Sequence, residues 1–306
     1  MARSLFITGA SGFVGRNLLR RIDPAKYKDI FVLIRSESKL APSLLKQRNV
    51  RLVRGDLFEC SLYAPYLASA DCVIHLAAVT GKASPQQYFR VNVEGTRTLL
   101  EQCRRAGVQR FLHVSSIAVK FPNKARYYYA QSKEQAENVV RNSGLHHTIV
   151  RPSIIVGPGA PAWTNLAKLA GLPVIPVFGN GQASIQPIDI DDLLDFIISI
   201  VDKDIFNGDT LDLGGSQVIS IEEFLRKIHW LRHHKDPRTV HIPLTLLIPV
   251  LTLLEKLFYS FLPITVGQLT SFRYDCTIEK NSLFEERLPR LKSIDAMLDS
   301  ACSHDS

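Results

Sequence analysis

Cysteine is scarce in this 306-residue chain, and the residues present are scattered: Cys60, Cys72, Cys103, Cys276 and Cys302. They include no Cys-x-x-Cys pair and their number is odd, which excludes a secreted disulfide framework and a zinc ribbon. Long apolar runs are missing from most of the chain, which excludes a multi-span membrane protein. A Gly-x-Ser-x-Gly elbow is absent, so nothing supports a hydrolase. His146-His147 has no partner at metal-ligand spacing and reads as the approach to a strand. His233-His234 reads as a solvated basic turn, and no metal is expected. Charge of one sign is in mild excess: 37 Lys and Arg against 29 Asp and Glu leave +8. That balance suits an anionic ligand or an acidic surface. The basic residues are dispersed, however, and no nucleic-acid partner is expected. Apolar residues at 46% and charged residues at 22% are ordinary for a globular protein and exclude disorder.

What is present is an alternation. Leu5-Phe6-Ile7-Thr8 reads as a buried strand, followed by a helix from Phe13 to Ile22 with Leu18, Leu19 and Ile22 on one side. Further short apolar runs lie at Ile30–Ile34, Arg51–Val53, Cys72–Leu76, Phe111–Val114 and Thr148–Val150. Helical patterns occupy Gln86–Arg105 and a stretch near Ser132–Asn142. Strands alternating with helices imply right-handed βαβ units and a parallel sheet covered on both faces. From Pro152 to Pro187 the chain is rich in Gly and Pro and reads as loops and short elements. Asp191-Asp192 starts a helix through Val201, and Leu211–Leu213 returns a strand to the sheet. From about Ile219 a smaller helical lobe is expected. The first residues run straight into the first strand, so no signal peptide is expected, and the setting reads as reducing and cytoplasmic.

The stretch Ile242–Val266 is strongly apolar, but Glu255-Lys256 interrupts it and Pro243, Pro249 and Pro263 punctuate it. A spanning helix needs about 20 predominantly apolar residues, and Ile242–Leu254 is too short. The expectation is helices lining an apolar pocket or the lobe core. Peripheral membrane contact through 242–266 is the alternative, favoured by the basic flank Arg232 to Arg238.

Thr8-Gly9-Ala10-Ser11-Gly12-Phe13-Val14-Gly15 lies between the first strand and the first helix. Small residues there let the backbone turn tightly and approach a pyrophosphate at the helix N-terminus. This loop resembles the fingerprint of the extended short-chain dehydrogenase/reductases, the NAD-dependent epimerase/dehydratase family. Further motifs match in order: Gly55-Asp56-Leu57, His75-Leu76-Ala77-Ala78, Asn92-Val93-Glu94-Gly95-Thr96, Val114-Ser115-Ser116, Tyr129-Ala130-Gln131-Ser132-Lys133 and Arg151-Pro152-Ser153-Ile154. The resemblance is strong from residue 4 to about 200. It implies an α/β fold: a Rossmann doubly wound parallel sheet with a smaller, mostly helical C-terminal substrate lobe. Residues 1–155, with returning elements at about 188–214, would form the dinucleotide-binding domain. Residues 156–187 and 215–306 would form the lobe.

The resemblance assigns cofactor contacts to Gly9, Ser11, Gly12, Phe13, Val14 and Gly15. It also assigns an adenine contact to Asp56, with Leu57 beside it. Leu76, Ala77 and Ala78 would line the ribose and pyrophosphate, with Asn92 nearby, and Pro152, Ser153 and Ile154 would lie under the carboxamide. After the second strand stands Arg35-Ser36-Glu37. An Arg there accommodates a 2′-phosphate, so NADP is favoured, while Glu37 leaves NAD open.

Tyr129 and Lys133 are four residues apart on a helical pattern and share a face. Of the tyrosines at 127, 128 and 129, only Tyr129 has a Lys four residues on. A nearby ammonium favours phenolate, so Tyr129 can exchange a proton with a secondary alcohol or ketone while the nicotinamide exchanges hydride. By resemblance Lys133 also holds the nicotinamide ribose, and Ser116 bonds the substrate oxygen. The substrate is a small molecule, apolar or a nucleotide sugar. UDP-hexose epimerases generally carry Arg-Tyr-Phe-Asn where this chain has Arg151-Pro152-Ser153-Ile154, and they place an Arg where Ala183 and Ser184 stand. These departures weigh against a UDP-galactose epimerase. The non-enzymatic alternative is a dinucleotide-binding structural subunit like the accessory subunit of respiratory complex I; intact Ser116, Tyr129 and Lys133 favour the enzyme. A homodimer is left open.

Overall fold

The computed structural model describes residues 3–36, 48–258, 262 and 265–303. Seven strands form one sheet: β1 (Arg3–Thr8), β2 (Tyr27–Ile34), β3 (Val50–Arg54), β4 (Cys72–His75), β5 (Arg110–Val114), β6 (His146–Pro152) and, further along the chain, Thr210–Leu213. Leu5, Phe6 and Ile7 are all fully buried, without alternation. A strand so buried must be covered on both faces, which is how parallel sheets are built. The registers linking β3 through β6 are parallel throughout. Strand order runs β3-β2-β1-β4-β5-β6 and ends on Thr210–Leu213. Direction of travel reverses between β1 and β4, so the carboxyl ends of these two strands bound the crevice in which ligands of such sheets bind. Thr8 pairs with His75, which sets Gly9 beside Leu76 and Ala77.

Helices α1 (Phe13–Arg21), α2 (Cys60–Leu67), α3 (Pro85–Tyr88), α4 (Gly95–Ala106) and α5 (Tyr128–Arg141) connect these strands. The α4 helix buries Leu99, Leu100 and Cys103 and stops at Gly107, whose φ of 77° is left-handed. Phe6, Phe31, Tyr63, Val73, Leu99 and Phe111 meet in one core. The α5 helix buries polar side chains along with apolar ones: Ser132, Lys133 and Glu137 beside Ala130, Ala136 and Val140.

The chain divides into two compact units. The first holds residues 1–116, 132–151 and 193–211. The second holds residues 117–131, 152–192 and 212–306. Within the second, α6 (Pro161–Ala170) packs beside α8 (Ile221–His233), α7 (Ile190–Asp202) begins at its edge, and α9 (Leu244–Phe258), α10 (Val266–Thr270), α11 (Ser282–Arg287) and α12 (Ile294–Cys302) follow. His229 Nδ1 lies 2.7 Å from Ala170 O and Arg232 donates to Ala167 O at 2.9 Å, fastening α8 to the end of α6. Lys292 donates to Asp189 at 2.8 Å and to Asp191 at 3.1 Å, pinning the segment before α12.

Some expectations need correction. The 86–105 stretch is not one regular helix: α3 passes into a π-helical segment, Phe89–Glu94, before α4. Pro152–Pro187 holds the expected loops and short elements. Pro at the first turn of α6 suits a helix start, and Val174–Phe178 pairs in parallel with Arg238–Ile242. The apolar 242–266 stretch does not go wholly inside. Among the described side chains of α9 only Leu244 is buried, while Leu246, Val250 and Leu253 are exposed. Residues 259–261, 263 and 264 of that stretch lie outside the described residues, as does Glu37. Among the described residues no helix is long and apolar enough to cross a membrane. His233 and His234 are exposed, and His234 ends α8 in a left-handed conformation at φ 50°. His146 and His147 lie in β6 itself rather than ahead of it.

Candidate active site

The glycine loop is dictated by close backbone packing. Gly9 has φ 71°, and a Cβ there would stand 2.4 Å from Ala77 N. A Cβ at Gly15 would stand 2.4 Å from Gly9 O, so the first turn of α1 rests directly on the loop. Gly12 differs from both. It is the N-cap of α1 and supplies no side-chain cap, and a Cβ on it would meet only Gly9 O, at 3.1 Å. The first N–H groups of α1 therefore receive no side-chain cap from Gly12, and such N–H groups are the donor set a pyrophosphate needs. These residues fit a dinucleotide.

Beneath the loop runs a buried hydrogen-bond chain. Thr96 Oγ1 donates to Asn92 O at 2.7 Å, so it accepts from His75 Nε2 at 2.9 Å. That assigns the proton to Nε2 and leaves His75 Nδ1 to accept from Thr8 Oγ1 at 2.7 Å. Thr8 Oγ1 in turn accepts from Ala77 N at 3.3 Å. Burial, with a contribution from the charge of Lys133, pushes the His75 imidazole down to about 3, so it stays neutral. His113 stacks on His75 with ring centroids 5.4 Å apart. Burial and Lys133 hold His113 well below the usual imidazole range too.

Lys133 is almost fully buried. Its Nζ donates to Val114 O at 2.8 Å and lies 3.4 Å from His113 Nε2, both on β5. Burial lowers its ammonium to about 8, against the opposing pull of Glu137. Ser116 follows β5 and is half-buried.

Asn92 spends its amide on structure. It accepts from Val79 N at 2.7 Å and donates to Val79 O at 3.1 Å and to Ser132 Oγ at 2.9 Å. It thereby braces the segment after Ala78 against α5. Asp56 closes a turn, accepting from Phe58 N at 2.7 Å and Glu59 N at 3.2 Å. The side chain of Leu57 belongs to the core, and Arg35 and Ser36 are exposed after β2. In the second unit Tyr129 is half-buried, with its ring 5.8 Å from that of Tyr127, which stacks on Phe121. Tyr129 stands one turn ahead of Lys133 on the continuous helix α5. Ser153 donates to Gln186 O, and its backbone N donates to Leu213 O at 2.9 Å.

Residues 5–214 match the model of the NAD dependent epimerase/dehydratase family. The chain belongs to this family. Relatives within the epimerase/dehydratase group are diverse. A ceramide reductase of Caulobacter vibrioides is 34% identical over 175 residues, 57% of this chain and 53% of that protein, so the match spans about half of the relative's length. A UDP-glucose 4-epimerase of Vibrio cholerae is 26% identical, covering 74% of this chain and 75% of its own. Sterol demethylase protein B of Methylococcus capsulatus is 28% identical over 84% of this chain and 83% of its own. Among solved structures, a double mutant of the dTDP-glucose 4,6-dehydratase of Streptomyces venezuelae, with NAD bound, superposes with a TM-score of 0.73 at 19% identity. The match covers 99% of this chain and 97% of that one, and shows the shared fold. Homologues named as epimerases, dehydratases, reductases and dehydrogenases make the chain an enzyme of this oxidoreductase and epimerase family.

Sequence reasoning missed His75 and His113 as partners of the site, and missed Glu137 entirely. The available signal was Lys133, Glu137 and Arg141 at four-residue spacing, which by itself reads as an ordinary charged helix face.

Proposed function

We propose that the protein exchanges hydride at a secondary alcohol or ketone carbon of an apolar substrate, with Tyr129 as acid/base and NADP as preferred cofactor. The observation that carries this reading is Lys133, a buried ammonium one helical turn beyond Tyr129, held by Val114 O. A desolvated cation acts strongly on a neighbouring phenol, favouring its ionised form. When bound, the nicotinamide supplies the hydride donor or acceptor. With the dinucleotide bound, the first turn after Gly12 would hold the pyrophosphate, Lys133 would bond the ribose, Ser116 would orient the substrate oxygen, and Tyr129 would move the proton at that oxygen. Arg35, exposed after β2, would pair with a 2′-phosphate. The apolar substrate class is supported by Pro152-Ser153-Ile154, which departs from the pattern of UDP-hexose epimerases, and by relatives named as a ceramide reductase and a sterol demethylase protein.

The test is a screen of long-chain and polycyclic secondary alcohols and ketones, following cofactor absorbance, with nucleotide sugars as the comparison set. Turnover of an apolar member that disappears in Tyr129→Phe is the expected result. Turnover confined to nucleotide sugars would overturn the substrate class.

A further inference from the structure

Glu137 is fully buried one helical turn beyond Lys133, so Tyr129, Lys133 and Glu137 recur every four residues along α5. A buried carboxylate is costly unless it is paired and hydrogen-bonded. This one accepts from Ser115 Oγ at 2.5 Å, from Arg151 Nε at 2.8 Å and Nη2 at 2.6 Å, and from Arg141 Nη2 at 2.7 Å. The donors come from three elements. Ser115 follows β5 and immediately precedes Ser116. Arg151 lies near the end of β6 and immediately precedes Pro152-Ser153-Ile154. Arg141 closes α5. The two strand ends are already aligned by Ser115 N donating to Val150 O at 2.7 Å. One carboxylate therefore ties together the three chain segments that lead into the candidate site.

We infer that Glu137 is a positioning residue for the reaction: its carboxylate locks the ends of β5 and β6 to α5 and supplies the countercharge that holds the Lys133 ammonium in its buried place. Purely structural bracing would not require charge, since buried ion pairs are often replaceable by well-packed apolar groups without loss of stability. His113 of β5 lies 3.4 Å from Lys133 Nζ, and His75 of β4 stacks behind it. Both imidazoles are neutral. On α5, Glu137 is an anion that acts on Lys133, and Arg151 and Arg141 each donate to its carboxylate. Burial alone would raise the Glu137 carboxyl, but hydrogen bonds from Arg151 and Ser115, together with Arg141, hold it below the ordinary carboxylate range.

The inference rests on Lys133 being the site lysine, but its readout needs neither substrate nor cofactor. The full chain labelled with [ε-13C]lysine is titrated by NMR, with the Lys133 resonance identified by its loss in Lys133→Arg. In Glu137→Gln, Lys133 should titrate lower by about one pH unit, because a nearby countercharge has gone. Glu137→Asp keeps the charge and should restore most of the wild-type value. Arg141→Gln removes a half-exposed cation and should move Lys133 upward. An unmoved Lys133 in folded Glu137→Gln overturns the inference, as does Glu137→Asp behaving like Glu137→Gln. Should Glu137→Gln alone fail to fold, the pair Glu137→Gln/Arg141→Gln, which removes one charge of each sign, is titrated against Arg141→Gln, and a Lys133 unmoved between the two overturns it. Fluorescence titration of the wild type with NADPH and with NADH runs beside these. Failure to bind any dinucleotide would sink the cofactor reading and leave the lysine titration intact, so the two failures are distinguishable.

Discussion

Gly12 and Gly9 fail differently when enlarged, although both belong to one motif. Gly12→Val places its Cβ 3.1 Å from Gly9 O, a far milder contact than at Gly9 or Gly15, so the fold should survive while calorimetry shows loss of dinucleotide binding. Gly9→Ala forces a Cβ against the Ala77 backbone at φ 71°, so it should destabilise the protein before binding is considered. Unchanged affinity in folded Gly12→Val would remove the pyrophosphate from this loop. Tyr129→Phe removes one hydroxyl, and steady-state rates should fall by about 10²–10⁴-fold with cofactor affinity unchanged. Lys133→Met should lower both rate and cofactor affinity. Retained activity in Tyr129→Phe would refute the assigned acid/base. At this scale the motifs were legible because Gly spacing and Tyr-x-x-x-Lys spacing are local properties of the chain. The partners His75, His113 and Glu137 were not, because each is defined by what a distant strand or helix brings to it.

The π-helical segment Phe89–Glu94 shows how one element depends on a single side chain. Asn92 gives the Val79 backbone both a donor and an acceptor and reaches Ser132 of α5 as well. Asn92→Ala removes hydrogen bonds from the half-buried Val79 backbone and from Ser132, and urea unfolding should show a loss of about 1–3 kcal/mol. An unchanged denaturation midpoint would mean that the segment does not depend on this amide. The α9 helix makes the opposite case. Leu246 and Leu253 are 68% and 60% exposed, so replacing either with Ser should change stability by no more than about 0.5 kcal/mol. Leu244→Ala, at a buried position, should cost about 2–5 kcal/mol. Equal costs at the three positions would contradict this division of the helix. Its apolar composition marked 242–266 as unusual, but composition carries no direction, so a core-lining face and an exposed face of α9 were both open from the sequence.

Stability of the whole molecule should depend on pH at both ends, with signs set by buried groups. His75 is lowered from 6.5 to about 3, and His113 is lowered as well, both first by burial. Between those values the unfolded chain binds protons that the folded chain refuses. Stability therefore falls as pH falls through that window, by up to about 1.4 kcal/mol per pH unit for each imidazole. Glu137, held low in the folded state, adds to the loss in acid. Lys133 is lowered from 10.5 to about 8, so the unfolded chain again binds more protons between those values, and its contribution to stability improves as pH rises across them. Thermal melts from pH 4 to 7 should show the acid slope, and His113→Phe should flatten it; an identical Tm at pH 4.5 and 7 would contradict the burial of neutral imidazoles. The sequence by itself determined the alternation of strands and helices, the strand–loop–helix around Gly9–Gly15 and the order of the motifs, because each depends on neighbours a few residues apart. Only the tertiary structure decided that Lys133 is desolvated over two imidazoles and that Glu137 ties β5 and β6 to α5. Pairing of β4, β5 and β6 brings together residues separated by dozens of positions, and burial is a property of that assembly rather than of any one segment.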